Sequence, residues 1–166
     1  MKGSDKLVVQ HNCAECEMRT ENFFCDLQHS TLGVLESLKS SKEYQKKSIL
    51  FMEGEDSKGI YILCQGKVKL STSSKDGKVI ILHIAEPGEI LGLSASMTDS
   101  IHIATAEVIE TCQINFIRND DFLKFLQNNA DACLSAVKQL GQNYTTAYLQ
   151  ICSLGISSSV ADKLAT

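Results

Sequence analysis

Three cysteines crowd the first 25 residues of the chain, in the run His11-Asn12-Cys13-Ala14-Glu15-Cys16-Glu17-Met18-Arg19-Thr20-Glu21-Asn22-Phe23-Phe24-Cys25. A Cys-x-x-Cys step such as Cys13 to Cys16 lets two thiolates face one soft metal centre from a tight turn. Three ligands do not close a cluster site. A fourth would have to come from Cys64, Cys112, Cys133 or Cys152. The same spacing also serves zinc knuckles and redox pairs, and sometimes has no chemistry at all. The later four cysteines sit among apolar residues, where a cysteine usually packs as a small hydrophobe. Cys112 opens the run Cys112-Gln113-Ile114-Asn115-Phe116-Ile117. As a strand, this run sets Cys112, Ile114 and Phe116 on one face, so Cys112 faces the core by default.

These residues need a scaffold, and composition bounds it. The chain has 166 residues, 43% hydrophobic and 22% charged, enough for one ordinary globular domain with an appendage. A net charge of -4 argues against this segment being a DNA-binding surface by itself. Seven cysteines, an odd number, fit a reducing compartment better than a disulfide framework. No signal-peptide apolar region follows Met1, and no stretch is long enough to span a bilayer. A cytoplasmic protein with no membrane association is expected. His11, His29, His83 and His102 form no constellation with a nucleophile or paired carboxylates, so the chain is not read as an enzyme.

Four segments follow from the patterning. Residues 1-30 are polar and rich in Cys and His, with little core of their own. A short helix is expected over Ser30-Lys39, with Leu32, Leu35 and Leu38 on one face and Ser30 as N-cap. From Lys46 to Ile117 the chain reads as sheet. Ile60-Cys64 is a compact apolar strand broken by Gln65-Gly66, and Lys67-Ser71 alternates cleanly. Lys75-Asp76-Gly77-Lys78 is a hairpin turn, followed by Val79-Ile84. Ile101-Val108 and Cys112-Ile117 supply two more strands. Many short strands at this spacing indicate a small sandwich or barrel. Asp120-Asp121-Phe122 opens a helical segment. Along it Ala130, Leu134, Val137, Gly141, Tyr144, Tyr148 and Ile151 form a heptad stripe that asks for a partner helix. A second row, Leu140, Ala147 and Leu149, favours two contacted faces. Gly155 ends that helix, and Ser157-Ser159 caps a new one that stops abruptly at Thr166.

The order of these parts resembles the cyclic-AMP receptor/fumarate-nitrate-reduction (CRP/FNR) regulators. The resemblance rests on Ile49-Leu50-Phe51-Met52-Glu53-Gly54-Glu55, on Ile60-Tyr61-Ile62-Leu63-Cys64-Gln65-Gly66-Lys67-Val68-Lys69-Leu70, and on Pro87-Gly88-Glu89-Ile90-Leu91-Gly92. It implies a mainly β fold with added α: a small double-stranded β-helix or jelly-roll barrel of cyclic-nucleotide-binding type, plus a long dimerisation helix. It divides the chain into a Cys-rich segment (1-30), the barrel (31-125), the dimerisation helix (126-154) and the start of a truncated winged helix-turn-helix domain (155-166). The implied partners are a second copy in a homodimer and, for a full-length protein only, promoter DNA and RNA polymerase.

The family's phosphate cassette is altered here. It reads Gly88-Glu89-Ile90-Leu91-Gly92-Leu93-Ser94, with Leu93 at the ribose-binding Glu position and His102 near the position of the phosphate-binding Arg. A neutral His cannot replace the guanidinium fork. Leu93 leaves a sugar hydroxyl unpaired, at about 1–3 kcal/mol in a buried site. Cyclic AMP is therefore not expected as a ligand. The oxygen-sensing branch implies a different cofactor: an oxygen-labile iron–sulfur cluster, most simply four-iron, held by Cys13, Cys16, Cys25 and an internal cysteine at the place of Cys112. The eight residues between Cys16 and Cys25 exceed the spacing of the best-known members, and a loop absorbs them at small entropic cost. The implied function is a sensor of oxygen, redox state or nitric oxide in a dimeric transcription regulator. The alternatives are a thiol–disulfide or structural zinc switch, and a small-molecule module with an altered pocket.

Overall fold

A computed structural model describes residues 12–16 and 23–153 of the chain. Two single 3-10 turns, Cys13–Glu15 and Phe23–Cys25, precede helix α1 (His29–Leu38). Strands β1 (Ser40–Tyr44), β2 (Ile49–Phe51), β3 (Gly59–Ser73), β4 (Val79–Ala85) and β5 (Ile90–Leu91) follow. Then come α2 (Leu93–Thr98), β6 (Thr105–Arg118), α3 (Asn119–Asn128) and α4 (Ala130–Ser153). All strand pairs are antiparallel, in the order β1-β6-β3-β4, with β2 also on β6 and β5 also on β3. This is the expected β-roll with flanking helices. The expected new helix beyond Gly155 lies outside the described residues.

The central ladder, β3 against β6, is longer than the sequence pattern indicates. Gln65-Gly66 does not end a strand. The chain continues through it as bulges, with register shifts between Leu63 and Gln65 and between Lys67 and Val68. Gly66 has φ +92°, and a Cβ there would press on the Thr111 carbonyl and lie 2.7 Å from Cys112 Sγ. A bulge with positive φ and no room for a side chain reads, in sequence, like a break. The same bulge lies opposite Glu110, so the two strands expected over Ile101-Val108 and Cys112-Ile117 are one, β6. Strand β1 pairs Ser40–Tyr44 with Phe116–Cys112. Its Ser-Ser-Lys-Glu-Tyr sequence has no apolar alternation to reveal it.

Two apolar clusters lie on opposite sides of this ladder. Ile60, Ile62 and Ile117 face one side with Phe24, Leu32, Leu35, Phe122 and Phe125. Leu63, Cys112 and Ile114 face the other with Phe51, Val68, Leu91 and Val108. The N-terminal segment is tied more firmly to the first cluster than its polarity indicates. Phe24 is 2% exposed, and its ring lies 6.0 Å from that of Phe122 and 6.1 Å from that of Phe125. Leu27 is buried beside it, and the Phe24 N–H donates to the Gly88 carbonyl.

The helices differ from expectation at their starts. Helix α1 begins at His29 with Gln28 as N-cap, and no side chain of its own caps it. Asp131, at the start of α4, does that work from a distance. Its carboxylate accepts from the Gln28 N–H at 3.0 Å and the Thr31 hydroxyl at 2.9 Å. The C-terminal helical run is also divided. Asn129 takes an extended conformation and its side chain donates to the Phe125 carbonyl, separating α3 from α4.

Burial raises the Asp131 carboxyl, but its hydrogen bonds from Gln28, Thr31 and the first backbone amides of α4 outweigh this and hold it below the ordinary carboxylate value. A depressed folded value contributes stability above the unfolded pKa and loses it as pH falls through the folded one. Asp131→Ala is expected to destabilise the domain by about 1 kcal/mol at pH 7, the usual cost of a lost cap. In urea titrations the gap between wild type and variant should narrow below about pH 4. An undiminished gap there would show that charge plays no part.

Candidate functional site

Antiparallel register decides which side chains can meet at the helical face of the sheet. Ile62 pairs with Asn115 and Leu63 with Ile114. Side chains alternate along each strand, so Ile62 and Asn115 project to the α1 side, whereas Leu63, Ile114 and Cys112 project to the other, and Cys64, in the bulge after Leu63, also turns to the α1 side. The two N-terminal turns pack on the α1 side. A small cavity of about 30 Å³ results, lined by Cys13, Cys16, Cys25, Cys64 and Asn115 over a floor of Phe24, Leu32, Leu35 and Ile62.

Three of the four expected ligands, Cys13, Cys16 and Cys25, therefore share one cavity. Cys112 does not line it. Its side chain is fully buried in the opposite cluster, and its thiol donates to the carbonyls of Lys67 (3.4 Å) and Glu110 (3.0 Å). Burial pushes that thiol up to about 11. Cys64, read from sequence as a packing residue, lines the cavity instead. Cys133 and Cys152 are exposed on α4.

Polar groups are aimed at these sulfurs. The Asn115 side chain is buried at 1% exposure, and its Nδ2 donates to Cys64 Sγ at 3.2 Å and reaches Cys13 Sγ at 3.7 Å. Its Oδ1 accepts from the Ser41 hydroxyl at 2.6 Å, which sets the amide orientation. Lys39, whose side chain is only 3% exposed, donates to Cys13 Sγ at 3.3 Å and pairs with Glu36 at 2.9 Å. Glu36 also accepts the Cys13 N–H. Burial raises the Cys13 thiol, and the Lys39 ammonium opposes that rise. Burial likewise lifts the Cys64 thiol far above its ordinary value, with the neighbouring thiols Cys13 and Cys25 adding to the rise. Among the described residues, no three His, Cys, Asp or Glu side chains already converge as a metal-binding group. The thiols border a shared cavity without closing a cage.

A second cavity, about 210 Å³, lies where the altered cassette meets α4. Leu70, Leu82, Leu91, Leu93, Ile103 and Ala104 make it largely apolar, and Gln139, Asn143 and Gln150 of α4 border it. Its charged group is accounted for within the protein. Glu89 accepts the Glu86 N–H and lies 2.7 Å from His83 Nε2, and this hydrogen bond raises the His83 pKa. His102 is 4% exposed and stacks on Phe51, ring centroids 3.8 Å apart. Burial lowers its pKa, which favours the neutral ring. Gly92, with φ +79°, leaves room for it: a Cβ there would lie 3.1 Å from His102 Cε1. On α4, Ala132, Ser135, Ala136 and Gln139 are buried, while Leu134, Val137, Tyr144, Tyr148 and Ile151 of the heptad stripe are exposed.

Comparison with known proteins places this geometry. The cyclic nucleotide-binding domain model matches residues 41–129. The chain is 27% identical over 99 residues to the anaerobic regulatory protein of Bacillus subtilis, covering 58% of this chain and 42% of that protein. It is 28% identical over 116 residues to the transcriptional activator protein Anr of Pseudomonas protegens, covering 68% and 47%. The chain thus spans less than half the length of these two regulators. Among solved structures, the sensor domain of the transcriptional regulator DNR from Pseudomonas aeruginosa superimposes with a TM-score of 0.60 at 23% identity, covering 72% of this chain and 81% of that one. The relatives are transcription regulators rather than enzymes.

Of the residues lining the second cavity only His83 and His102 can carry positive charge; Glu89 engages the first and burial favours the neutral form of the second. Calorimetry with cyclic AMP at millimolar concentration is expected to give no saturable heat. Micromolar affinity would mean that groups other than Leu93 and His102 supply the missing contacts.

Proposed function

Since the chain belongs to the cyclic nucleotide-binding domain family, among its CRP/FNR-type regulators, we propose that it is the sensing part of a dimeric, cytoplasmic transcription regulator. Its thiol pocket reads oxygen or redox state through a bound iron–sulfur centre. One observation carries this reading: Cys13, Cys16 and Cys25 line a single cavity with buried donors, Asn115 and Lys39, aimed at its sulfurs. The donor set suits the group, because soft thiolates select iron–sulfur chemistry and hydrogen bonds to sulfur tune it. Once bound, such a centre supplies reversible electron transfer and sensitivity to oxygen. Two relatives bearing anaerobic or activator names support the same direction.

The chain's own residues link the pocket to α4. Glu36 and Lys39 hold the Cys13 turn to α1, and the start of α1 is held by Asp131 at the start of α4. A change at Cys13 thus bears on α1, and through Asp131 on the helix that carries the exposed stripe. That stripe is the proposed interface with a second copy, parallel and two-fold, as a palindromic DNA target requires. Promoter DNA and RNA polymerase are then partners of the full regulator.

The cavity's size favours a second reading. About 30 Å³ suits one ion rather than several irons, so a single zinc asks the thiols for a smaller rearrangement than a cluster does. A multi-iron group needs more room than the cavity has in this structure.

Protein purified without oxygen is expected to be brownish, with broad visible absorption that bleaches in air, and to contain iron and acid-labile sulfide. Zinc alone would establish the second reading, and no metal in anaerobic protein would remove both. Independently, the double variant Val137→Glu/Tyr144→Glu should sediment as a monomer where wild type is a dimer. A dimeric double variant would place the interface elsewhere.

A further inference from the structure

We propose that Cys64 supplies the fourth thiolate of the N-terminal pocket, joining Cys13, Cys16 and Cys25, and that Cys112 is a packing residue. This rests on the reading of the pocket as a metal site, for iron–sulfur or for zinc.

Sheet geometry and a buried amide both set Cys64 at the pocket. Cys64 sits in the bulge between Leu63 and Gln65, and it lines the cavity beside Ile62 and Asn115, so it lies on their side of the ladder. Both Cys64 and Asn115 line the cavity that the three N-terminal cysteines border. To bring Cys112 there, β6 would have to slip by one residue, which would turn Asn115 out of the cavity and reverse every buried side chain of the strand. Its present surroundings also hold it. The thiol has two carbonyl acceptors, and with the Thr111 carbonyl it occupies the space that a side chain at Gly66 would need.

Asn115 is the independent observation. A buried amide costs free energy unless its donors are satisfied. The acceptors given to Nδ2 are the sulfurs of Cys64 and Cys13. A neutral thiol is a weak acceptor, whereas a metal-bound thiolate is a strong one. An asparagine fixed by Ser41 and pointed at one thiol from the sheet and one from the N-terminal turn is placed as the outer partner of two ligands of the same centre.

The test uses anaerobically prepared full chain, with iron, sulfide and visible absorption read for wild type, Cys64→Ser and Cys112→Ala. Cys64→Ser is expected to lose more than about a hundredfold in metal affinity, beyond the usual effect of disturbing an outer partner. Cys112→Ala should keep the wild-type content and spectrum. Titration with cobalt(II) alone provides a second readout. The sulfur-to-cobalt absorption per ion should fall in Cys64→Ser and stay unchanged in Cys112→Ala. If Cys64→Ser fails to fold, Cys112→Ala decides the matter: a full thiolate band supports the assignment, and a reduced one overturns it. A wild-type band retained in Cys64→Ser also overturns it. Failure of the wild-type chain to bind iron, zinc or cobalt is a separate outcome, which removes the metal-site reading itself.

Discussion

The antiparallel register of β3 against β6 is the constraint on which the rest of this structure depends. Ile62 opposite Asn115 and Leu63 opposite Ile114 divide every later residue of the two strands between two sides. One side receives α1, α3, α4 and the N-terminal turns, and the other is the interior of the roll. The period of a strand is two, so neither strand can be adjusted by one residue without exposing a whole apolar face. The bulges around Gly66 preserve this division across a ladder that would otherwise lose phase. The thiol pocket and the cassette cavity are thus consequences of one pairing rather than separate inventions.

Docking of the N-terminal segment depends on a few large contacts. Phe24 inserts against Phe122 and Phe125, and Leu27 follows it into the same cluster. Burying one such ring is worth about 1.5–3 kcal/mol, enough to hold a short turn but not a long polar segment. The Cys13 turn has no comparable anchor among its described neighbours. It is held chiefly by Glu36 and Lys39, which are polar contacts at a half-buried surface. The pocket therefore joins one firmly anchored thiol-bearing turn, at Cys25, to one more lightly held, at Cys13.

Much of this was legible in the sequence, and the gaps have physical causes. The spacing of Cys13, Cys16 and Cys25 marks them as a group because the chain between them is short enough for one centre to reach all three. Alternation marks Cys112 as core-facing, which is how it sits. Alternation also assigns Cys64 to the face of Ile60 and Ile62. It cannot say which face of a sheet the N-terminal segment will cover, because that depends on where Phe24 finds its aromatic partners nearly a hundred residues later. The Gly66 bulge was read as a break because glycine signals both. Strand β1 escaped notice because it is half-exposed and polar. Local pattern points to Ser30 as the cap of α1 and carries no trace of Asp131, because the residue that holds this end is distant in sequence.

The pocket's polar partners have an energetic consequence. Lys39 and Asn115 are buried donors whose acceptors include thiol sulfurs. While those thiols are protonated the Asn115 amide is weakly satisfied and the Lys39 ammonium relies on Glu36, and burial opposes ionisation of Cys13 and Cys64 despite that ammonium. Any event that leaves thiolate charge on the sulfurs relieves both strains at once, since the charge gains donors already in place and the donors gain strong acceptors. The stability of the N-terminal turn and the chemical state of the sulfurs are then linked quantities. The turn is held by the same Glu36–Lys39 pair that contacts Cys13, and the link runs outward from sulfur to α1. The lightly anchored Cys13 turn, rather than the Cys25 turn fixed by Phe24, is therefore the part of the site that a change of charge on the sulfurs would act on first.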